Sequence, residues 1–237
     1  MINYTSSTAS RNKASYNEGL RVYMLSIFQN MGTALAITAI VSMFVASSTE
    51  LMHALFNTPL RWVVVLSPLL MVFYLSAKIM DMSIQGARAA LWLFSALMGA
   101  SLASLFHVYT QQSLIKVFLV TASLFGAMCI YGHTTKRDLT SIGSFLTMGL
   151  VGLVIASFAN MLFPSSALHN ILSFVGVIIF TLLTAYDVQK LKDIYYSIGA
   201  ENNEVSQKIA VYGALNLYMD FINLFIFLLR IFGVRRD

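Results

Sequence analysis

Charged residues divide this chain into long apolar stretches. A helix needs about 20 apolar residues to cross a bilayer core of about 30 Å, because no water there can satisfy backbone polar groups. The stretch from Val22 to Thr49 is charge-free and long enough. Further windows lie between Arg61 and Lys78, with Pro68 inside, between Arg88 and Lys116, broken near His107 and Tyr109, and between Lys116 and Lys136. Leu139 to Tyr186 is also charge-free but too long for one crossing, and Pro164, followed by Ser165 and Ser166, divides it. The last window, Ile209 to Leu229, holds one charge, Asp220. The pattern predicts an all-α integral membrane protein with seven transmembrane helices, at about 24–48, 60–80, 88–107, 115–133, 140–162, 168–195 and 209–231. Residues 1–23 read as a polar N-terminal tail, 24–231 as one transmembrane domain and 232–237 as a short C-terminal tail. The N-terminal stretch lacks the small-residue cleavage site of a signal peptide, so the first span reads as an uncleaved anchor. The longest polar connection runs from Lys190 to Lys208, with Gly199 as the expected helix stop.

Composition agrees with this pattern. The 237 residues are 58% hydrophobic and 11% charged, with a mean hydropathy of +0.75. A soluble domain carries about 25% charge, so too few charges are present to cover a soluble surface. One Cys excludes a disulfide scaffold. The net charge of +5 reads as membrane orientation and not as a nucleic-acid footprint. Ten Lys and Arg fall on the N-terminal side of the predicted spans, Arg11, Lys13, Arg21, Lys78, Arg88, Lys136, Arg137, Lys190, Lys192 and Lys208, against five on the other. That bias favours a cytoplasmic N-terminus. The basic C-terminus opposes it: seven crossings put Arg230, Arg235 and Arg236 outside, whereas a re-entrant last segment would keep them inside.

Lipid tails are as apolar as Leu, so membrane helices associate through small residues and polar contacts. Ser95, Gly99 and Ala103 in the third span, Gly32 and Ala36 in the first, and Gly149, Gly152 and Ala156 in the fifth are the expected close-packing positions. Cys129 reads as a small inert hydrophobe. His53, His107, His133 and His169 all fall near span ends and show no metal-ligand spacing.

Two acids depart from the edge pattern. Asp220 lies near mid-span, where a charge costs at least about 2.5–3.5 kcal/mol, so it should face the bundle interior. Asn216 and Asn223 share its helix face, one turn before and after. Asp187 ends the run Thr184-Ala185-Tyr186-Asp187, with Thr181 on the same polar face; it reads either as an interfacial residue paired with Lys190 or as a second interior acid. Spans six and seven run antiparallel, so Asp187 and Asp220 are expected to face each other. Two carboxylates close together in low dielectric cannot easily both ionise; they share a proton and titrate as a pair. Such a site can hold a hard divalent cation such as Ca²⁺ through oxygen ligands.

The run Leu217-Tyr218-Met219-Asp220-Phe221-Ile222-Asn223-Leu224-Phe225, with Leu228-Leu229-Arg230-Ile231-Phe232-Gly233, resembles the C-terminal signature of the Bax inhibitor-1 family, the transmembrane BAX inhibitor motif proteins. Thr184 to Leu191 resembles that family's second motif, and Met82-Ser83 with Leu97 to Leu102 its third-span pattern. The resemblance implies a seven-helix bundle whose last helix is central and wrapped by the other six. It implies a pH-sensitive Ca²⁺ leak sensed by Asp187 and Asp220, and a basic latch for which Lys78 and Arg88 are the nearby residues. The short C-terminus fits a bacterial member, in the plasma (inner) membrane. No cofactor is expected beyond Ca²⁺ as a permeant or bound ion. The partners expected are the bilayer, Ca²⁺, protons and other membrane proteins. A non-transporting regulator of stress responses or membrane proteases is the alternative function, and a proton-coupled transporter a third. Catalysis is not expected: Tyr186-Asp187 supplies half of an intramembrane aspartyl-protease pattern, Tyr218-Met219-Asp220 does not supply the other half, and no Gly-x-Ser-x-Gly is present.

Overall fold

The computed structural model describes residues 4–198 and 203–236, with side chains from residue 18 onward and, after the gap, from residue 204. Helices form wherever the apolar windows run and stop at the expected signals. α1 spans Tyr4–Ser47, α2 Thr49–Phe56, α3 Leu60–Lys78, α4 Ile84–Leu102, α5 Leu105–Val108, α6 Gln111–Thr134, α7 Thr140–Leu162, α8 Ser166–Ile198 and α9 Asn203–Phe232. Seven segments are long and apolar enough to cross a membrane: Glu18–Ser47, Leu60–Lys78, Ile84–Val108, Gln111–Thr134, Thr140–Leu162, Ser166–Ile198 and Glu204–Phe232. Each overlaps one predicted span. No strand occurs among the described residues.

The differences are local. α1 starts at Tyr4, ahead of the apolar stretch, because the polar residues before Gly19 include no Pro or Gly to stop a helix. α2 was not anticipated. Ser48 caps it by accepting from the Leu51 amide at 3.3 Å, and Met52 packs against Val45 and Ala103. The third crossing is interrupted at Ala103, between α4 and α5, four residues before the expected break at His107. The stop expected at Gly199 falls outside the described residues.

Burial ranks the helices. Over the apolar window of each span, α9 is 56% and α8 50% buried, against 17% for α3 and for α7. α9 packs against α1, α4, α6 and α8, while α3 rests mainly on α4 and α7 on α8. Four of the other spans therefore lie directly against the last helix.

Close crossings are made by glycine. A Cβ on Gly99 would sit 2.7 Å from the Thr38 carbonyl oxygen, so α4 approaches the α1 backbone as the Ser95-Gly99-Ala103 stripe predicted. A Cβ on Gly132 would run into the Ala185 backbone, and one on Gly143 into the Tyr186 ring. These two contacts bring α6 and α7 onto α8 beside Asp187. Gly32 and Gly152, also expected at contacts, face open space.

Polar clamps hold the two ends. Gln189 accepts from the Leu139 amide at 2.8 Å and donates to the Arg137 carbonyl at 2.8 Å, fixing the α6–α7 connection to α8. At the other end the tail after α9 is tied to the α5–α6 turn. The Thr110 amide donates to Val234 at 3.0 Å and the Arg236 amide to Val108 at 3.0 Å, around a bridge between Tyr109 and Arg235. α9 thus runs from one end of the bundle to the other, long enough for a full crossing, and its basic tail lies on the face of the α5–α6 turn, opposite the Gln189 clamp.

Candidate functional site

Asp187 and Asp220 meet. α8 and α9 are the most buried pair and run antiparallel, so residues in the middle of each come level. Gly213 against Leu191 and Gly176 against Phe227 set the two ends of this contact. Between these points the carboxyl groups of Asp187 and Asp220 are near enough to interact directly. Asp220 is 6% exposed, and its Oδ2 is buried with no hydrogen-bond partner. Asp187 is half-buried.

The pair lines a cleft of about 570 Å³ that also takes in Asn216, Asn223 and Ser157. Asn223 spends its amide nitrogen on its own helix, donating to the Met219 carbonyl at 2.9 Å. The flank of the cleft is Leu69 of α3 with Val154, Phe158 and Met161 of α7. These apolar side chains are exposed, so the cleft opens toward the lipid-facing surface between α3 and α7. It stands where α7 fails to reach α9.

Two further groups approach the acids. Lys190, one turn from Asp187 on α8, is close enough to act on its charge, and its Nζ lies 5.8 Å from the centre of the Tyr186 ring. Cys129 of α6 is buried and lies within electrostatic reach of Asp220. The opposite face of α9 is packed. Tyr218 is fully buried, with its hydroxyl 2.7 Å from Thr38 Oγ1, and its ring meets Phe94 edge-on at 5.5 Å. Phe221 packs edge-on against Phe118 and Phe125 of α6.

The family described as "Inhibitor of apoptosis-promoting Bax1" has a sequence model that matches residues 20–237. The chain belongs to the Bax inhibitor-1 family. It is 41% identical over its whole length to the Rickettsia prowazekii protein RP147, with 100% of each chain covered. It is 43% identical to the Escherichia coli inner membrane protein YbhL, over 92% of this chain and 94% of that one. A Borreliella burgdorferi protein is 38% identical over 91% of this chain and 93% of its own. With its seven spans, the chain is a multi-pass membrane protein of that family.

The candidate site residues read from the sequence fall into distinct places. Asp187, Asp220, Asn216 and Asn223 come together on one cleft. Thr184 and Tyr186 do not line it. Thr184 donates back to the Phe180 carbonyl at 2.7 Å, and Tyr186 packs on Gly143. Lys78 reaches Asp81 at 3.4 Å in an exposed pair. Arg88 lies in a separate cleft with Glu18 and Gln29, its Nε buried without a partner. Neither basic residue lines the aspartate cleft. Sequence reasoning missed Ser157, Cys129 and Gln189 at or near the site. Ser157 had a signal, since it shares the interior of a span with few other polar residues. Among the described residues no group of three or more His, Cys, Asp or Glu could hold a metal. The oxygen-rich set is therefore the two carboxyls with the Asn amides and Ser157.

Proposed function

We propose that this protein is a pH-sensitive Ca²⁺ leak of a bacterial inner membrane, with Asp187 and Asp220 as its sensor. The inner-membrane location is that of the relative YbhL by name, and the excess of Lys and Arg on the N-terminal side supports a cytoplasmic N-terminus. The observation that carries the reading is an acid pair inside the bundle, with Asp220 Oδ2 buried and unpartnered, beside an open cleft. An unsatisfied buried carboxylate oxygen is costly, and a proton or a cation relieves it. Two carboxyls this close titrate as one coupled unit. Hard cations take oxygen ligands from carboxylates, amide carbonyls and water, and Asp187, Asp220, Asn216 and Asn223 supply such a set. The role is passage of an ion down its gradient, without catalysis or cofactor.

The test is Ca²⁺ entry into liposomes loaded with an indicator dye, from pH 5 to pH 8. The expected result is a flux that changes with pH in the wild type and loses that dependence in Asp187→Asn/Asp220→Asn. A flux indifferent to both pH and the two substitutions overturns the reading.

A further inference from the structure

The clamped C-terminal tail builds a second cleft, unrelated to the aspartates. It measures about 850 Å³ and lies between the start of α6 and the end of α9. Its polar wall carries Lys116, Arg236, Gln111 and Gln112, and its apolar wall includes Val120 and Phe232. Arg236 is held there because its own amide and that of Thr110 bond across to the facing segment, and the Val234 amide donates to Ser113 Oγ at 2.9 Å. Lys116 and Arg236 are exposed. Neither has an acidic partner among the described residues, where the ion pairs are Lys78 with Asp81 and Lys208 with Glu204. Among the described residues no Asp or Glu lines the cleft.

Depth identifies the occupant. Lys116 lies five residues inside α6, about 7.5 Å below its first residue at 1.5 Å per residue. At that level its neighbours Ile115, Leu119 and Val120 are exposed apolar side chains. An ammonium there must turn up toward the headgroup layer, where the anions within reach are lipid phosphates. Phe232, 62% exposed, continues the apolar wall. A cleft with two cations above and a lipid-facing wall below matches a molecule that is anionic at one end and apolar at the other.

We propose that this cleft binds an anionic phospholipid, with Lys116 and Arg236 on the headgroup phosphate and Val120 and Phe232 along the chains. Juxtamembrane cations each contribute modestly to anionic-lipid binding. Loss of both predicts binding about tenfold or more weaker.

The test uses the full chain in neutral detergent, titrated with phosphatidylglycerol and, separately, phosphatidylcholine, with retained lipid counted by native mass spectrometry. Phosphatidylglycerol is expected to bind and phosphatidylcholine not. Lys116→Gln/Arg236→Gln should lose that binding, while Lys116→Arg/Arg236→Lys and the control Arg61→Gln keep it. Rising salt should weaken wild-type binding, a readout that needs no variant. Equal retention of the two lipids overturns the proposal, as does undiminished phosphatidylglycerol on the double Gln variant. Full displacement by millimolar inorganic phosphate also overturns it, because the site would then take a free anion.

Discussion

The contact between Thr38 and Tyr218 joins three helices and makes a prediction whose sign can be worked out. Thr38 Oγ1 lies 3.0 Å from the Ala34 carbonyl of its own helix and 3.0 Å from the Ser95 carbonyl of α4. A threonine hydroxyl has one proton, and these two acceptors share it. The Tyr218 hydroxyl, 2.7 Å away, is therefore the donor to Thr38 Oγ1. Removing either partner breaks the same bond with different consequences. Tyr218→Phe deletes the donor and leaves Thr38 bonded to its carbonyls. Membrane double-mutant cycles put such a bond at about 0.6 kcal/mol on average and about 1.7 at most. Thr38→Val keeps the shape but strands a tyrosine hydroxyl that is 0% exposed, which costs about 1–3 kcal/mol, and it also removes the link to Ser95. The double variant has no stranded hydroxyl. It should be no less stable than Thr38→Val alone, so the two effects are far from additive.

The assay is reversible unfolding of the four proteins in mixed micelles. The expected order of stability is wild type, then Tyr218→Phe, then the double variant level with or above Thr38→Val. A Tyr218→Phe cost larger than that of Thr38→Val would refute the donor assignment. Additive costs would refute the contact itself.

Glycine substitutions should split by the space each faces. Gly132→Ala, which meets the Ala185 backbone, should destabilise the bundle by about 1–3 kcal/mol or more, whereas Gly152→Ala, with open space around it, should be neutral or stabilising by up to about 1 kcal/mol; equal melting shifts would contradict the crossing. Gln189→Leu leaves the Leu139 amide and Arg137 carbonyl without their partner; a loss of about 1–3 kcal/mol and faster exchange of the Leu139 amide are expected, and an unchanged amide would mean the clamp is not formed. Reporters at the two termini should signal opposite sides of the membrane, since α9 is a full crossing; signals from one side would restore the re-entrant alternative. Asp138, whose carboxylate accepts from the Thr140 amide at 2.8 Å, is held below the usual carboxylate range by hydrogen bonds from the Thr140 side chain and amide. Its stabilising bond is present above the ordinary value and lost as pH falls through the lowered one; the Thr140 amide resonance should titrate below the ordinary carboxylate midpoint, and a midpoint at or above it would count against the bond.

The spans were legible because the bilayer imposes a length and forbids charge, and both requirements are written in consecutive residues. The Asp187–Asp220 meeting was legible for a related reason. An acid inside a span is conspicuous, and antiparallel neighbours bring two such acids level. The Thr38–Tyr218 contact was hidden. A hydroxyl in a span has a local acceptor four residues back, as Thr184 does on Phe180, so nothing in the sequence says which threonine also reaches another helix. Gly132 and Gly143 were hidden likewise, since each is a single small residue whose partner lies on a different helix. Lys78 and Arg88 were selected by nearness to a span end. Long side chains at an edge have several partners in reach, and these two found Asp81 and a separate cleft.

α9 ties the two halves of the molecule together through its own geometry. Tyr218 and Asp220 are two residues apart, about 200° around the helix at 3.6 residues per turn, so they must face opposite ways. Tyr218 bonds α1 and packs on Phe94 of α4; Asp220 faces α8 and the cleft left by α7. The α1 and α4 side of the bundle thus packs on the back of the helix that carries the buried acid. α7 and α3, on the cleft side, are the least buried spans and bear little on α9 directly. The acid pair thus lies between a closely packed side, made by α1 and α4, and a sparsely packed one, made by α7 and α3.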